Sequence, residues 1–529
     1  MKHALRLSRA AAALAAVAAL VFWAAAARPA LAQTPSATPD TAIFQITVSN
    51  VAAQPTPTAT PSATPTPTPT PTPVPRDSFA GDISGNGRFV VIESTGDIAT
   101  ERTAARNNAD GNVEIFLFDY AQRRIFQITN TKSVLKDATK PTYDATNIDI
   151  QVVNLQPTIS RDGKYIVFVS NAYNNGDASQ TPKNFVGADN AAALRLDGNT
   201  EVFIYAVPDV PEVDLTQGTE VAPVDLTTGP IAQLTRTAAS STPRPAANNG
   251  PAFFARDNDA PVVNDNGALV AFYSLAKSGN LGTGNTDGNK EIFVARVTRD
   301  GSAFAASFAQ VTNTQDVAIP NSLLKRQIYN MNPSLSACNG TLPCRVAFLS
   351  NAALVAGESE ANQGNGEVYV ADISTADGTA SNLRQVTKTP RETRASIEEF
   401  PVNLLSPGRR ISRDAAHIAF ESTAVFNENG TLNGALSDTT GIYIANIPSS
   451  GDATFNQVSV RPPSDQSDLG LRWPTFTGDS TRVVWASILN LRADGTVSTT
   501  TGEGLNQQRR SQVFSAPLNA LTTVMRVTN

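Results

Sequence analysis

The chain has 529 residues, too many for one ordinary hydrophobic core, so it is either several domains or a repeat array. Charged residues make up only 17% of it while Asn, Thr, Ser and Gly are plentiful, a composition suited to loop-rich β structure. The formal net charge is −6; without the four bases of the first 32 positions, Lys2, Arg6, Arg9 and Arg28, it is −10, an acidic balance that argues against nucleic acid or an anionic membrane as partner.

Residues 1–32 read as a secretory signal peptide. Lys2, Arg6 and Arg9 form a charged head, Ala10 to Ala27 is apolar, and Ala30-Leu31-Ala32 before Gln33 is a small-x-small cleavage site. The alternative is an uncleaved anchor helix, since the apolar run is nearly long enough to span a bilayer. Cleavage is the reading adopted, because Arg28, Pro29 and the cleavage site follow at once. It places a monomeric mature chain in the periplasm, on the cell surface or outside the cell, with no later membrane span.

Thr41 to Asn50 reads as a lone strand and is similar to Ile125 to Asn130 further on. Pro55 to Pro75 then alternates Pro and Thr almost strictly. Such a segment cannot bury a core and is expected to be a disordered linker, extended and semi-rigid at about 3 Å per residue. Residues 33–77 are therefore lead and linker, and the folded domain is 78–529.

Within it one module recurs. Its first two strands flank a tight turn, as in Thr158 to Ser170, where Arg161-Asp162-Gly163-Lys164 separates apolar runs. Sister pairs are Asp82 to Ser94, Val262 to Ser274, Ser334 to Ser350, Arg410 to Ser422 and Thr475 to Ser487. Third strands begin at Val113, Glu201, Glu291, Glu367, Gly441 and Gln512. Fourth strands end in Gln127-Ile128-Thr129, Gln233-Leu234-Thr235, Gln310-Val311-Thr312 and Gln385-Val386-Thr387, with weaker versions at Gln457 to Ser459 and Arg526 to Thr528. Six modules of four antiparallel strands predict an all-β fold, a six-bladed β-propeller. A β-solenoid would have shorter repeats without hairpins.

The repeat, P-x-I-S-x-D-G-K-x-x-x-F-x-S followed by [DE]-[IV]-[FY]-[VL] and [QR]-[LVI]-T, resembles that of TolB-like, WD-related propellers. The Pro stands at Pro157, Pro261, Pro333 and Pro474, while Gly81 and Arg409 replace it. The resemblance covers Ser78 to Asn529 and implies architecture; such propellers host many functions. The small α/β domain of TolB itself has no counterpart here, where the Pro/Thr spacer stands instead.

Loop lengths carry the functional signal. The loops joining second to third strands, and several blade-to-blade links, are long, whereas the first-to-second turns are tight. All the long ones belong to one face, where binding loops gather; Pro208 to Pro230 is the exception, expected opposite. The first strands should line a central channel, giving a polar ring of Asp82, Thr158, Val262, Ser334, Arg410 and Thr475, with Trp473 as a candidate aromatic anchor.

Several long loops end alike, with Asp110 and Asn112, Asp197 and Asn199, or Asp287 and Asn289 around a glycine before a Glu. These oxygens make calcium a candidate ligand. The plainer reading is an Asx turn feeding a strand, with the Glu exposed at its start. No other cofactor is expected. Cys338 and Cys344 bracket one hairpin tip and fit a disulfide in an exported protein.

Catalytic patterns are absent. His3 leaves with the signal, His417 aligns with Tyr165 as a packing residue, and there is no G-x-S-x-G elbow or zinc cluster. The chain is therefore expected to be no enzyme but an envelope binding or scaffold propeller whose partner is a protein or a glycan. The alternative is a carboxylate-dependent, calcium-assisted hydrolase or lyase acting on glycans or peptides. A purely structural surface-layer component is a third account.

Overall fold

The computed structural model describes residues 77–528 apart from several loop segments, the longest being 136–148, 173–198, 241–254, 391–401 and 460–471. The signal, the lead strand at Thr41 to Asn50 and the Pro/Thr linker lie outside the described residues.

Six four-stranded antiparallel sheets follow one another along the chain, each built from consecutive strands. Blade one is Ser78–Ile83, Phe89–Ser94, Glu114–Asp119 and Arg124–Gln127. Blade two is Asn154–Ile159, Tyr165–Ser170, Glu201–Ala206 and Ile231–Gln233, and blade three Asn258–Val263, Leu269–Ser274, Glu291–Asp300 and Ala303–Gln310. Blade four is Asn330–Leu335, Arg345–Ser350, Glu367–Ile373 and Ala380–Gln385. Blade five is Asn403–Leu404, His417–Ser422, Gly441–Asn446 and Thr454–Ser459; blade six is Thr475–Phe476, Arg482–Ser487, Gln512–Pro517 and Met525–Arg526. Because consecutive strands are antiparallel, the second-to-third loops and the blade-to-blade links leave from one face and the tight turns from the other.

The pleat explains the burial. In blades two to five the second and third strands are covered on both sides, and in five blades an aromatic on one stacks on its directly opposed partner: Phe168 on Phe203, Phe272 on Phe293, Phe348 on Tyr369, Phe420 on Tyr443 and Trp485 on Phe514. Shared apolar clusters join blades one to two, two to three, three to four, four to five and five to six. Between blades six and one there is no such shared cluster among the described residues. The remaining one, around Ile92, Phe116, Phe118 and Ile125, belongs to blade one alone.

The tight-turn face is laced shut by a belt of hydrogen bonds running from blade to blade. Gly85 N donates to Arg161 O at 2.9 Å, Asp162 N to Asp265 O at 3.1 Å, Asp265 N to Ala337 O at 3.2 Å and Ala337 N to Arg413 O at 3.0 Å. Arg413 N then donates to Ser480 Oγ at 2.8 Å. A disulfide joins Cys338 and Cys344 at the blade-four turn. The Pro208 to Pro230 insertion meets this same face, with Arg88 Nη1 donating to Pro211 O at 2.6 Å and Val224 N to Gln122 Oε1 at 2.7 Å.

Candidate functional site

The first strands carry a repeated irregularity that shapes the channel. In blades one to four their pairing slips by a bulge just before the Pro or Gly position. The residue at that step has positive φ in most blades: Gln156 (53°), Ala260 (50°), Asn332 (54°), Gly408 (98°) and Trp473 (45°). A bulge accommodates a proline inside a strand and re-aims the preceding side chain.

A cavity of about 780 Å³ opens here, of a size typical for a ligand site. It occupies the central channel, with Phe79, Ile83 and Val90 of blade one and Trp473, Thr475 and Phe476 of blade six on one side, and residues of blades two, three and five, among them Pro157, Pro261 and Arg410, completing the wall. Phe79 is 60% and Trp473 56% exposed, rare for aromatics of this size in a folded protein. Both lie near the long-loop end of their strands, since Phe79 pairs with Glu93 at the end of the second strand.

Five of the residues picked from sequence come together in it: Asp82, Thr158, Arg410, Thr475 and Trp473. Ser334 does not; it is fully buried, its Oγ accepting from Arg410 N (2.7 Å) and Ile411 N (3.1 Å). Val262 is likewise buried away from the cavity. The polar atoms of this ring already have protein partners, most of them on neighbouring blades. Thr158 Oγ1 donates to Pro261 O at 3.2 Å and Thr475 Oγ1 to Arg409 O at 2.8 Å. Asp82 accepts from Ile159 N at 3.0 Å and pairs with Arg409 at 3.0 Å. The Arg410 guanidinium donates to the carbonyls of Ser406, Pro407 and Pro474, and burial lowers its pKa to about 10.

The opposite end is closed by charge. Asp265 pairs with Arg161 at 3.2 Å and Arg413 at 2.7 Å, and Arg161 donates across to Gly478 O. Only about 20 Å³ remains there, room for roughly one water. Burial, with Arg409 nearby, brings the Arg161 pKa down to about 10.

The loop residues considered for calcium fall into a different device. Each third strand of blades one to four opens with a glutamate that is buried, not exposed as the Asx-turn reading had it. Glu114 accepts from Asn112 Nδ2 (3.0 Å), Thr131 N (2.5 Å), Thr131 Oγ1 (2.8 Å), Asn154 Nδ2 (3.0 Å) and Thr129 Oγ1. Glu201, Glu291 and Glu367 are held alike, with Asn258, Asn330 and Asn403 reaching from the next blade's first strand. The carboxylate therefore clamps two blades. Burial pushes Glu114 up to about 7 and Glu201 and Glu367 to about 8, the hydrogen bonds pulling each partly back.

Asn112 and Asn289 serve these clamps as donors, Asn289 Nδ2 reaching Thr314 Oγ1 at 2.9 Å. Asn199 donates to Thr237 and Asp257. Asp110 is exposed, Asp287 accepts from Asp316 N at 2.7 Å, and Asp197 lies outside the described residues. The six thus belong to three separate blades. Among the described residues no group of three or more His, Cys, Asp or Glu is arranged to hold a metal ion. His417 shares a 2.9 Å hydrogen bond with Asn446 on the adjoining strand.

The sequence reading missed the clamps and the seam. The first had a visible signal, the Glu, the Thr-x-Thr after the fourth strand of blades one to four and the Asn opening the next blade. The second had none, because its walls are separated by almost the whole domain.

No protein-family model matches the chain, and no curated protein matches it in sequence. Among solved structures it is similar to the Dos1 propeller, with 9% identity over 85% of this chain and 75% of that one and a TM-score of 0.32. It is also similar to an acylaminoacyl peptidase in complex with Z-Gly-Gly-Phe-chloromethyl ketone, at 6% identity over 86% and 45% with a TM-score of 0.33. For the tricorn protease the identity is 10% over 83% of this chain and the TM-score 0.26; the chain spans 38% of that protein's length.

Proposed function

We propose that this chain is an exported binding or scaffold propeller that grips a protein or glycan partner at the channel mouth, on the face that carries the long loops. The observation behind this reading is the channel cavity, about 780 Å³ with Phe79 and Trp473 exposed at its rim, while the opposite end is filled by the arginine–aspartate network. The charged leader and cleavage site at residues 1–32 support export to the envelope. Affinity capture from the native envelope tests it. Trp473→Ala and Phe79→Ala should lose a specific partner that the parent protein and a tight-turn variant, Asn86→Ala, both retain. Equal capture by all four proteins would contradict the reading.

A second reading, a carboxylate-dependent hydrolase or lyase, draws on Glu93. This side chain lines the same cavity as Asp82, and burial raises its pKa. Glu93→Gln should then abolish turnover in a glycan or peptide screen while leaving ligand binding intact.

A further inference from the structure

The chemistry of the cavity wall narrows the class of ligand. Most of its polar groups already have partners in the protein: Asp82, Thr158, Thr475 and Arg410 as described, Gln156 Oε1 accepting from Ala260 N at 2.7 Å, and Glu93 Oε2 accepting from Gln156 N at 2.8 Å. A sugar, recognised through its hydroxyls, would meet few unoccupied partners and would lose hydrogen bonds to water on entering. What the wall offers instead is Phe79, Trp473 and Phe476 together with the rings of Pro157, Pro261 and Pro407. The Trp473 indole N–H has no acceptor among the described residues, and that residue's positive φ holds its ring out at the rim.

Flat aromatic and proline surfaces with an isolated N–H donor suit a polyproline II segment. Such a segment is stiff before it binds, makes no internal hydrogen bonds and presents its carbonyls outward, so little order is lost on docking. The sequence supplies a candidate. Pro55 to Pro75 is uncharged and ends only four residues before Phe79, itself part of the rim. In that conformation, at about 3.1 Å per residue, its last seven residues would reach roughly 20 Å. The short tether also gives it an effective concentration on the order of millimolar.

We propose that the channel mouth is a groove for an uncharged proline-rich segment, and that its occupant is this chain's own Pro55 to Pro75. The proposal rests on the mouth being the binding site. An outside partner then either displaces the tract or presents the same chemistry, which makes the tract a built-in competitor.

Trp473 reports on its own occupancy. The full chain with Trp23→Phe has two emitting tryptophans, and Trp485 is 1% exposed, so acrylamide quenches Trp473 selectively. The tract should protect it. Replacing Pro55 to Pro75 by a Gly/Ser run of equal length should raise the quenching constant several-fold. A synthetic peptide of residues 55–75 added to that variant should restore protection saturably, and Phe79→Ala should weaken the peptide by at least roughly tenfold. Equal quenching with and without the tract, together with no peptide binding, would overturn the proposal. Protection that vanishes on dilution would assign the groove to a second copy and overturn the own-chain occupant. If Trp473→Ala abolishes partner capture while the tract gives no protection, the mouth stands as the binding site and this proposal alone falls.

Discussion

Each clamped glutamate is an acceptor ringed by donors, and that asymmetry fixes what substitution does. Glu114→Ala strands the donors of Asn112, Thr129, Thr131 and Asn154 in a buried site and should cost about 3 kcal/mol in chemical denaturation. Glu114→Gln keeps the shape but turns an amide N–H₂ toward donors, so it should also destabilise, though less. The pH dependence follows from the raised pKa values. A carboxyl near 7 to 8 in the fold against 4.5 unfolded contributes stability that is fully present below pH 4.5 and lost as pH rises through 7 to 8. Between pH 5 and 9 the melting temperature of the parent should therefore fall more than that of the Glu201→Gln, Glu367→Gln variant. A parent that gains stability relative to this variant over the same range would contradict the assignment.

Between single residues and the whole ring, the turns do the positioning. Gly267 has φ +77°, and a Cβ there would meet the Tyr165 ring of the preceding blade at 2.2 Å. Gly87 has a similar φ, +76°, with open space around it. Gly87→Ala should cost about 1 kcal/mol for backbone strain alone, and Gly267→Ala several times that, because strain and a blade-to-blade clash add. Equal losses in parallel denaturation curves would show that the turn does not lock the blades. The disulfide at Cys338 and Cys344 closes a short loop, so a Cys338→Ser, Cys344→Ser variant should lose roughly 2 kcal/mol at most. These elements were legible because they are local: Asp162-Gly163 between apolar runs, and phenylalanines at matching places in successive modules, repeat often enough to fix strand order. The clamps were not, because the string around Asp110 to Glu114 looks like a solvated turn until Thr129, Thr131 and Asn154 fold over it. The left-handed backbone at Trp473, which holds its ring at the rim, likewise leaves no mark in the local pattern.

Across the whole molecule the interfaces are unequal. Blades one to five are joined by buried clamps, whereas Gly441 stands at the corresponding place in blade five and Gln512 in blade six. Among the described residues, the apolar clusters shared by adjacent blades also stop at the six–one seam. Local opening tracks such deficits, so amide exchange should be fastest in Thr475–Phe476 and Ser78–Ile83 and slowest in the paired second and third strands of blades two to four. The same deficit makes the seam the place where a ligand adds most, by bridging the two ends of the ring. The most direct measurement is side-by-side envelope capture with the parent protein, Trp473→Ala, Phe79→Ala and the tight-turn control Asn86→Ala, followed by the exchange pattern of the purified complex. The account predicts a partner lost only with the two mouth variants, and slowed exchange confined to the first strands that line the channel mouth and the loops above them. A partner retained by both mouth variants, or protection on the tight-turn face, would contradict it.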